Sequence, residues 1–148
     1  MRAIPPPLWA LLLLAATYGI SLLPLFAALP VMATRPHGSA IIAASLAFLL
    51  APMIQFWLAK TQLLPTSKTN NALVTNGVYA LTRNPMYLAM TTLCLGGALW
   101  FGRPVMLLAP VLMFAVANWA FIPFEEAKMR RQFGAQFDAY CKRVRRWI

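Results

Sequence analysis

The stretch covering residues 85–122, PMYLAMTTLCLGGALWFGRPVMLLAPVLMFAVANWAFI, carries a single charged residue, Arg103, in 38 positions. Near its middle, Phe101-Gly102-Arg103-Pro104 has the glycine and proline of a tight connection. The flanking runs, 85–101 and 104–122, are therefore expected to fold back on each other as an antiparallel helical hairpin. A helix needs about 20 mostly apolar residues to cross a bilayer core. The second run meets that length and the first falls slightly short. Two more apolar runs lie upstream. One is 8–29, opened by Pro5-Pro6-Pro7 and interrupted by Pro24; the other is 39–59, with Pro52 inside. Prolines within membrane helices kink them and are tolerated where neighbouring groups satisfy the freed carbonyls.

Composition leads to the same architecture. The chain has 148 residues, of which 61% are hydrophobic and 11% charged, with a mean hydropathy of +0.66. A soluble domain is nearer half apolar and a quarter charged, so disorder and a water-soluble globule are both excluded. The expected fold is an all-α integral membrane protein, one domain over 1–148. It comprises about four transmembrane helices and a C-terminal cytoplasmic amphipathic segment. The first hairpin would occupy 1–64, and a second half over 72–148 would hold the hairpin 85–122 and a tail 123–148. The first apolar run is longer than a signal-peptide core, so it is expected to be retained.

Charge sets the expected orientation. Lys and Arg number 13 against 3 Asp and Glu. With the N-terminus in the cytoplasm, Arg2, Lys60, Lys68, Arg83 and the seven basic residues between 128 and 146 lie inside. Only Arg35 and Arg103 lie outside. Both termini are then cytoplasmic, at the plasma membrane, a bacterial inner membrane. The basic excess on so apolar a chain points to anionic lipid rather than nucleic acid. The lone histidine, His37, is far in sequence from every carboxylate and is read as a loop residue, so no metal is expected. Cys94 and Cys141 sit in dissimilar settings and do not form a disulfide framework. No Gly-rich phosphate loop, no G-x-G-x-x-G and no His/Cys ligand spacing is present.

Three local features can carry chemistry. In Arg83-Asn84-Pro85-Met86-Tyr87, asparagine suits an N-cap and proline the first helical position. The helix should start at Pro85 with its free N–H groups, Arg83 and Tyr87 around an anion-binding corner. The same residues would equally serve as an interfacial basic marker and an aromatic belt. In Phe124-Glu125-Glu126 lie two of the three acids, about 100° apart on a helix. They belong to the same membrane face as Arg83 and form either a polar mouth or a structural ion pair. In the tail, Met129, Phe133, Phe137, Tyr140, Val144 and Trp147 form one apolar stripe at helical spacing, with Gly134 separating two helices. The tail either lies in the inner-leaflet interface as an anchor or folds over the membrane domain as a lid.

The order of Val74-Thr75-Asn76-Gly77-Val78-Tyr79, Arg83-Asn84-Pro85-Met86-Tyr87-Leu88, Glu125-Glu126, Phe133-Gly134, Tyr140 and Val144-Arg145-Arg146-Trp147 resembles the isoprenylcysteine carboxyl methyltransferase family. That family is related to the membrane phospholipid methyltransferases. The resemblance covers about residues 72–148. Asn84 stands where the family often has histidine, and Phe137 where it often has tyrosine.

The resemblance implies a methyltransferase that uses S-adenosylmethionine at the cytoplasmic mouth and acts on an apolar, lipid or lipidated acceptor. It implies donor binding by Gly77, Tyr79, Arg83, Asn84, Pro85, Tyr87, Glu125 and Glu126, with Arg83 and Glu126 as catalytic residues. Arg83 would suit a carboxylate, and Glu125 or Glu126 an ammonium, a ribose diol or the role of base. Tyr79, Tyr87 or Trp119 would flank the adenine or the sulfonium, and Gly96-Gly97 would let the third and fourth helices approach closely. Two other readings stay open. One is a membrane reductase using a nicotinamide dinucleotide phosphate, which thermal stabilisation by that dinucleotide would favour. The other is a non-catalytic lipid-binding subunit, which would bind neither cofactor.

Overall fold

The computed structural model describes residues 4–59 and 72–148. Residues 60–71, the first half of the polar loop expected over 60–84, lie outside the described residues, as do Arg2, Lys60 and Lys68 of the charge count. The described chain is helical without strands. In order it forms α1 (Pro6–Ser21), a short α2 (Pro24–Ala27), α3 (Arg35–Leu58), a 3-10 turn (Gly77–Ala80) and α4 (Pro85–Phe101). A second 3-10 turn (Pro104–Leu107) leads into α5 (Leu108–Val116), a π-helical segment (Ala117–Phe121), α6 (Ile122–Phe133) and α7 (Ala135–Arg143).

Proline and glycine set most of these boundaries. Proline occupies the first turn of α1, α3 and α4, where its missing N–H has no helical partner to lose. Pro24 cannot donate back into α1 and holds Leu23 extended (ψ 145°). The first apolar run, expected to continue to residue 29, therefore ends as a helix at Ser21. His37, expected in a loop, lies instead in the first turn of α3. Gly102 closes α4 with φ +68°, and its carbonyl accepts from Met32 N–H at 2.8 Å. That is the tight turn of the expected hairpin. Gly134, with φ +49°, separates α6 from α7.

Among the described residues, two helical units are long and apolar enough to span a bilayer. These are Arg35–Leu58, 24 residues with mean hydropathy 2.0, and the rod Pro104–Phe133, 30 residues with 2.2. Only 11% and 33% of their apolar stretches are buried within the protein, which separates them from the core helices of a soluble domain. Large apolar side chains face outward along the bundle, among them Leu11, Leu50, Trp57, Val111 and Trp119. Helices α1 and α4 have 16 and 17 residues, about 24–26 Å, short of a core about 30 Å thick. Of the four spans expected, two are full-length and two are short.

The bundle is organised around α4. Helix α3 packs along it more extensively than any other pair, and α1 and α5 lie against its other sides. Helix α3 buries only Gly38, Ser45 and Pro52, one small residue every seven. Ser45 Oγ donates to Thr92 Oγ1 of α4 at 2.9 Å. A Cβ on Gly38 would strike the backbone of Trp100, and one on Gly96 would meet the Ile42 backbone at 2.9 Å. Gly97 faces Leu14 of α1. The Gly96-Gly97 pair therefore admits α3 and α1, not the fourth membrane helix that the sequence suggested. Without a hydrophobic drive between helices in lipid, such close backbone contact is a main source of association.

Gly38→Ala should lower the melting temperature of the detergent-solubilised protein, by about 1–3 kcal/mol of overpacking. Gly19→Ala, at a position with nothing within 4 Å, should leave it unchanged or raise it. Thermal unfolding followed by circular dichroism reads both.

Candidate functional site

The segment leading into α4 is built to hold the end of the chain. Arg83 N–H donates to Arg145 O at 3.0 Å. The Arg83 guanidinium gives Nη1–H to Cys141 O (3.0 Å) and Val144 O (2.8 Å), and Nη2–H to Glu126 Oε1 (2.9 Å). Asn84 sits at the N-cap position of α4 with its side chain not capping the helix; its Nδ2–H donates to Arg146 O at 2.8 Å. Thr82 Oγ1 donates to the same carbonyl at 3.2 Å and accepts from Asn84 N–H at 3.1 Å. The expectation of a capping asparagine thus meets a stronger competitor, the unpaired carbonyls of the tail beyond α7.

The two neighbouring acids face different surroundings. Glu126 lies between two guanidiniums. Besides Arg83 it accepts from Arg146 Nη2 at 2.6 Å and Arg146 Nε at 3.2 Å. Glu125 accepts a hydrogen bond from Tyr87 Oη at 2.5 Å. Tyr87 in turn stacks near Phe121 at 6.0 Å between ring centroids. The rod reaches this point through its π-helical segment, which turns Asn118 toward the tail. Asn118 Oδ1 accepts from Trp147 Nε1 at 3.1 Å, and Arg146 Nη1 approaches it at 3.5 Å. Single π turns recur at functional positions because they re-aim the side chains around them.

The tail lies over this end of the bundle. Its stripe turns inward: Phe137, Tyr140 and Val144 are buried with Tyr79, against Phe56, Leu73, Met129 and Phe133. Trp147 joins the core formed by α1, α4 and α5 and stacks on Phe114 at 4.6 Å. Tyr140 Oη donates to Tyr79 O at 2.6 Å. Burial pushes both phenols above their usual range, with the Glu125 charge adding to the effect at Tyr79. Both remain protonated at neutral pH, as hydrogen-bond donors and not as bases.

Under the tail is a cavity of about 300 Å³, at the small end of ligand pockets. Tyr79, Arg83, Asn84, Pro85, Tyr87, Glu125 and Glu126 all line it. The two halves of the sequence expected to meet at one mouth do so. Its apolar walls come from the Pro5-Pro6-Pro7 start of α1 and from α3, α4 and α7. Arg83 Nε is buried without a hydrogen-bond partner among the described residues.

Gly77 does not line the cavity, and its φ of +56° serves a turn gripped by Gln55. Trp119, expected as an aromatic flank, is 72% exposed and does not line the cavity. Residues that the sequence reading passed over are Gln55, Asn118, Lys128 and the role of Arg146. Gln55 carried a signal, as the one polar side chain between positions 46 and 58. Lys128 lines the cavity beside Glu125.

Glu126→Gln would leave two guanidiniums without their carboxylate. The expected cost is about 2–4 kcal/mol, reduced from the fully buried case because Arg146 is partly exposed. Thermal unfolding and faster trypsin cleavage after Arg143 and Arg145 should both report it. Asp138→Asn, at the exposed pair with Arg130 (2.8 Å), should change neither.

Comparison with known proteins gives the chain its relatives. A family model described as phospholipid methyltransferase (PEMT) matches residues 37–136. The chain is 38% identical over 82 residues to protein-S-isoprenylcysteine O-methyltransferase B of Arabidopsis thaliana, and 40% identical over 82 residues to the A form of the same plant. Each match covers 51% of this chain and 38% of the relative. A Haemophilus influenzae protein described as uncharacterized is 32% identical over 63 residues, 43% of this chain and 100% of that protein. The chain thus spans well under half the length of the plant relatives it matches. No solved structure matches it.

Proposed function

The chain belongs to the phospholipid methyltransferase family, and from that premise we propose that it is an integral membrane methyltransferase. It would transfer a methyl group from S-adenosylmethionine, the donor this family uses, to an apolar, lipid or lipidated acceptor at the cytoplasmic face. The observation that carries the reading is the convergence of Arg83, Tyr87, Glu125 and Glu126 on one cavity at the end of the bundle. Both termini, Arg83 and the basic tail belong on the cytoplasmic side in this reading, with Arg35 and Arg103 on the other.

The residues present fit the donor. Its carboxylate needs N–H groups, and Arg83 Nε is a buried donor with no acceptor among the described residues. Its ammonium or ribose hydroxyls need an acceptor, and the Glu125 carboxylate lines the cavity. Tyr79 and Tyr87 offer aromatic faces to a cationic sulfur or an adenine. Asn84 and Pro85 contribute wall, and Gly77 acts only through its turn. When bound, the donor supplies a methyl group activated for displacement by its positive sulfur.

What the protein adds is alignment and dryness. Phe137, Met90 and Leu73 line the cavity and exclude water from the methyl group. Arg83 and Glu126 act together in this scheme. The Glu126 carboxylate, shared with Arg146, fixes the Arg83 guanidinium, which leaves its Nε to orient an oxygen. Glu125, held by the Tyr87 hydroxyl, is the group available to take a proton from an acceptor that carries one. A carboxylate acceptor would need no base.

The test is equilibrium binding of labelled S-adenosylmethionine to the full chain in nanodiscs, followed by transfer of label to a membrane lipid extract. Wild type should bind saturably and label a lipid-soluble product. Glu125→Gln and Tyr87→Phe should weaken binding about tenfold or more, the scale of a hydrogen bond to a charged group, with the melting temperature kept. Absence of saturable binding to wild type would sink the reading. Stabilisation by a nicotinamide dinucleotide phosphate alone would replace it with a reductase.

A further inference from the structure

Gln55 occupies the last turns of α3, on a helix otherwise apolar from residue 46 to 58. A polar amide is costly so close to lipid and is kept where it has a partner. Its partners here are backbone atoms. Gln55 Nε2–H donates to Asn76 O at 3.0 Å, and Val78 N–H donates to Gln55 Oε1 at 3.3 Å. The amide therefore holds both ends of one turn. That turn contains Gly77 at φ +56°, and a Cβ added at Gly77 would collide with Gln55 Nε2. The glycine and the glutamine fit each other. One has no side chain because the other occupies the space.

The grip bears on the cavity through Tyr79. Asn76 O also accepts from Tyr79 N–H at 3.0 Å, so the carbonyl that Gln55 holds is the one that starts the Tyr79 turn. Tyr79 rests edge-on against Phe56 of α3, with ring centroids 5.4 Å apart, and lines the cavity. From the other side, Tyr140 Oη holds Tyr79 O. The tyrosine is thus fixed between a membrane helix and the tail, and α3 reaches it through Phe56 directly and through Gln55 by way of the turn.

We propose that Gln55 is a positioning residue for the cavity: its amide grips the 76–78 turn, sets Tyr79 as the donor-side wall, and so fixes donor affinity without touching the donor. This rests on the methyltransferase reading. Loss of the amide frees the turn, and Tyr79 then samples positions that no longer shape the cavity. The expected loss falls on binding and leaves the chemical step, carried by other groups, nearly unchanged.

The comparison is wild type, Gln55→Leu and Gln55→Glu, all full-length in nanodiscs. Leucine keeps the bulk and suits the lipid, so folding is not at risk. Glutamate keeps the acceptor for Val78 N–H and loses the donor to Asn76 O. Gln55→Leu should raise the Kd and KM for S-adenosylmethionine about tenfold, as two lost neutral hydrogen bonds allow, with kcat within about twofold. Gln55→Glu should fall between. Hydrogen exchange without donor should show the Val78 amide deprotected in Gln55→Leu and the α4 amides unchanged, which a general loss of stability would not produce. Wild-type donor affinity in Gln55→Leu overturns the proposal and leaves the methyltransferase reading standing. A wild type that binds no donor overturns the methyltransferase reading, and this proposal with it.

Discussion

One carboxylate holds the polar end of this molecule together. Glu126 accepts from Arg83 at 2.9 Å and from Arg146 at 2.6 Å, joining the start of α4, the middle of α6 and the extreme C-terminal segment. Other hydrogen bonds join these pieces two at a time, among them Asn84 Nδ2 to Arg146 O and Tyr87 Oη to Glu125, but Glu126 touches all three. Helix α4 is fixed by its contacts with α3 and α1 within the bundle. Helix α6 merely continues the rod. The segment after α7 is short and largely without regular structure. Because the Arg83 guanidinium also takes two tail carbonyls, the ion pair satisfies backbone groups that a helix end would otherwise leave open. An arginine spreads its donors over a planar fork and so reaches a carboxylate and two carbonyls from separate nitrogens, where a lysine would have to serve all three from one.

The rest of the fold has little interior of its own. Helix α3 buries three of its 24 residues, one of them a glycine, and leucine, valine and tryptophan are prominent on the outer faces of the helices. Lipid does the solvating that a core would do elsewhere. Helices in such a setting are held by close approach, and the Gly38–Ser45–Pro52 seam against Gly96 and Thr92 provides it. The cavity forms where that seam ends and the apolar bundle meets the polar tail, so its walls are apolar toward α1 and α3 and charged toward α6.

Much of this was legible in the sequence. The hairpin turn at Gly102, the start of α4 at Pro85, the break at Gly134 and the apolar stripe of the tail follow from local rules of proline, glycine and period. So did the meeting of Arg83 with the acid doublet, because a hairpin returns both to one face. What stayed hidden depends on the direction of single side chains. Gly96 and Gly97 read as an interface, but periodicity does not say which neighbour they admit. Asn84 reads as a cap until the tail carbonyls are seen beside it. The stripe of α7 fits a membrane surface as well as a protein one, and only its packing on Tyr79 and Phe56 decides for the protein. The π-helical segment has no residue signature at all, and Asn118 enters the site through it.

The contrast between the two adjacent acids carries the chemical argument. Neighbours in sequence, Glu125 and Glu126 are separated by about 100° around the helix, and that rotation gives one a pair of guanidiniums and the other a phenol. A carboxylate bracketed by two arginines already accepts three charge-assisted hydrogen bonds and has about one acceptor site left for a ligand. A carboxylate bonded to one tyrosine hydroxyl, on the wall of the cavity, has capacity left on both oxygens. Where environments drive two like groups apart in this way, their roles divide. In the proposed function, Glu126 then belongs to the frame that aims Arg83, and Glu125 is the acid left to meet a cation, a hydroxyl or a proton inside the cavity.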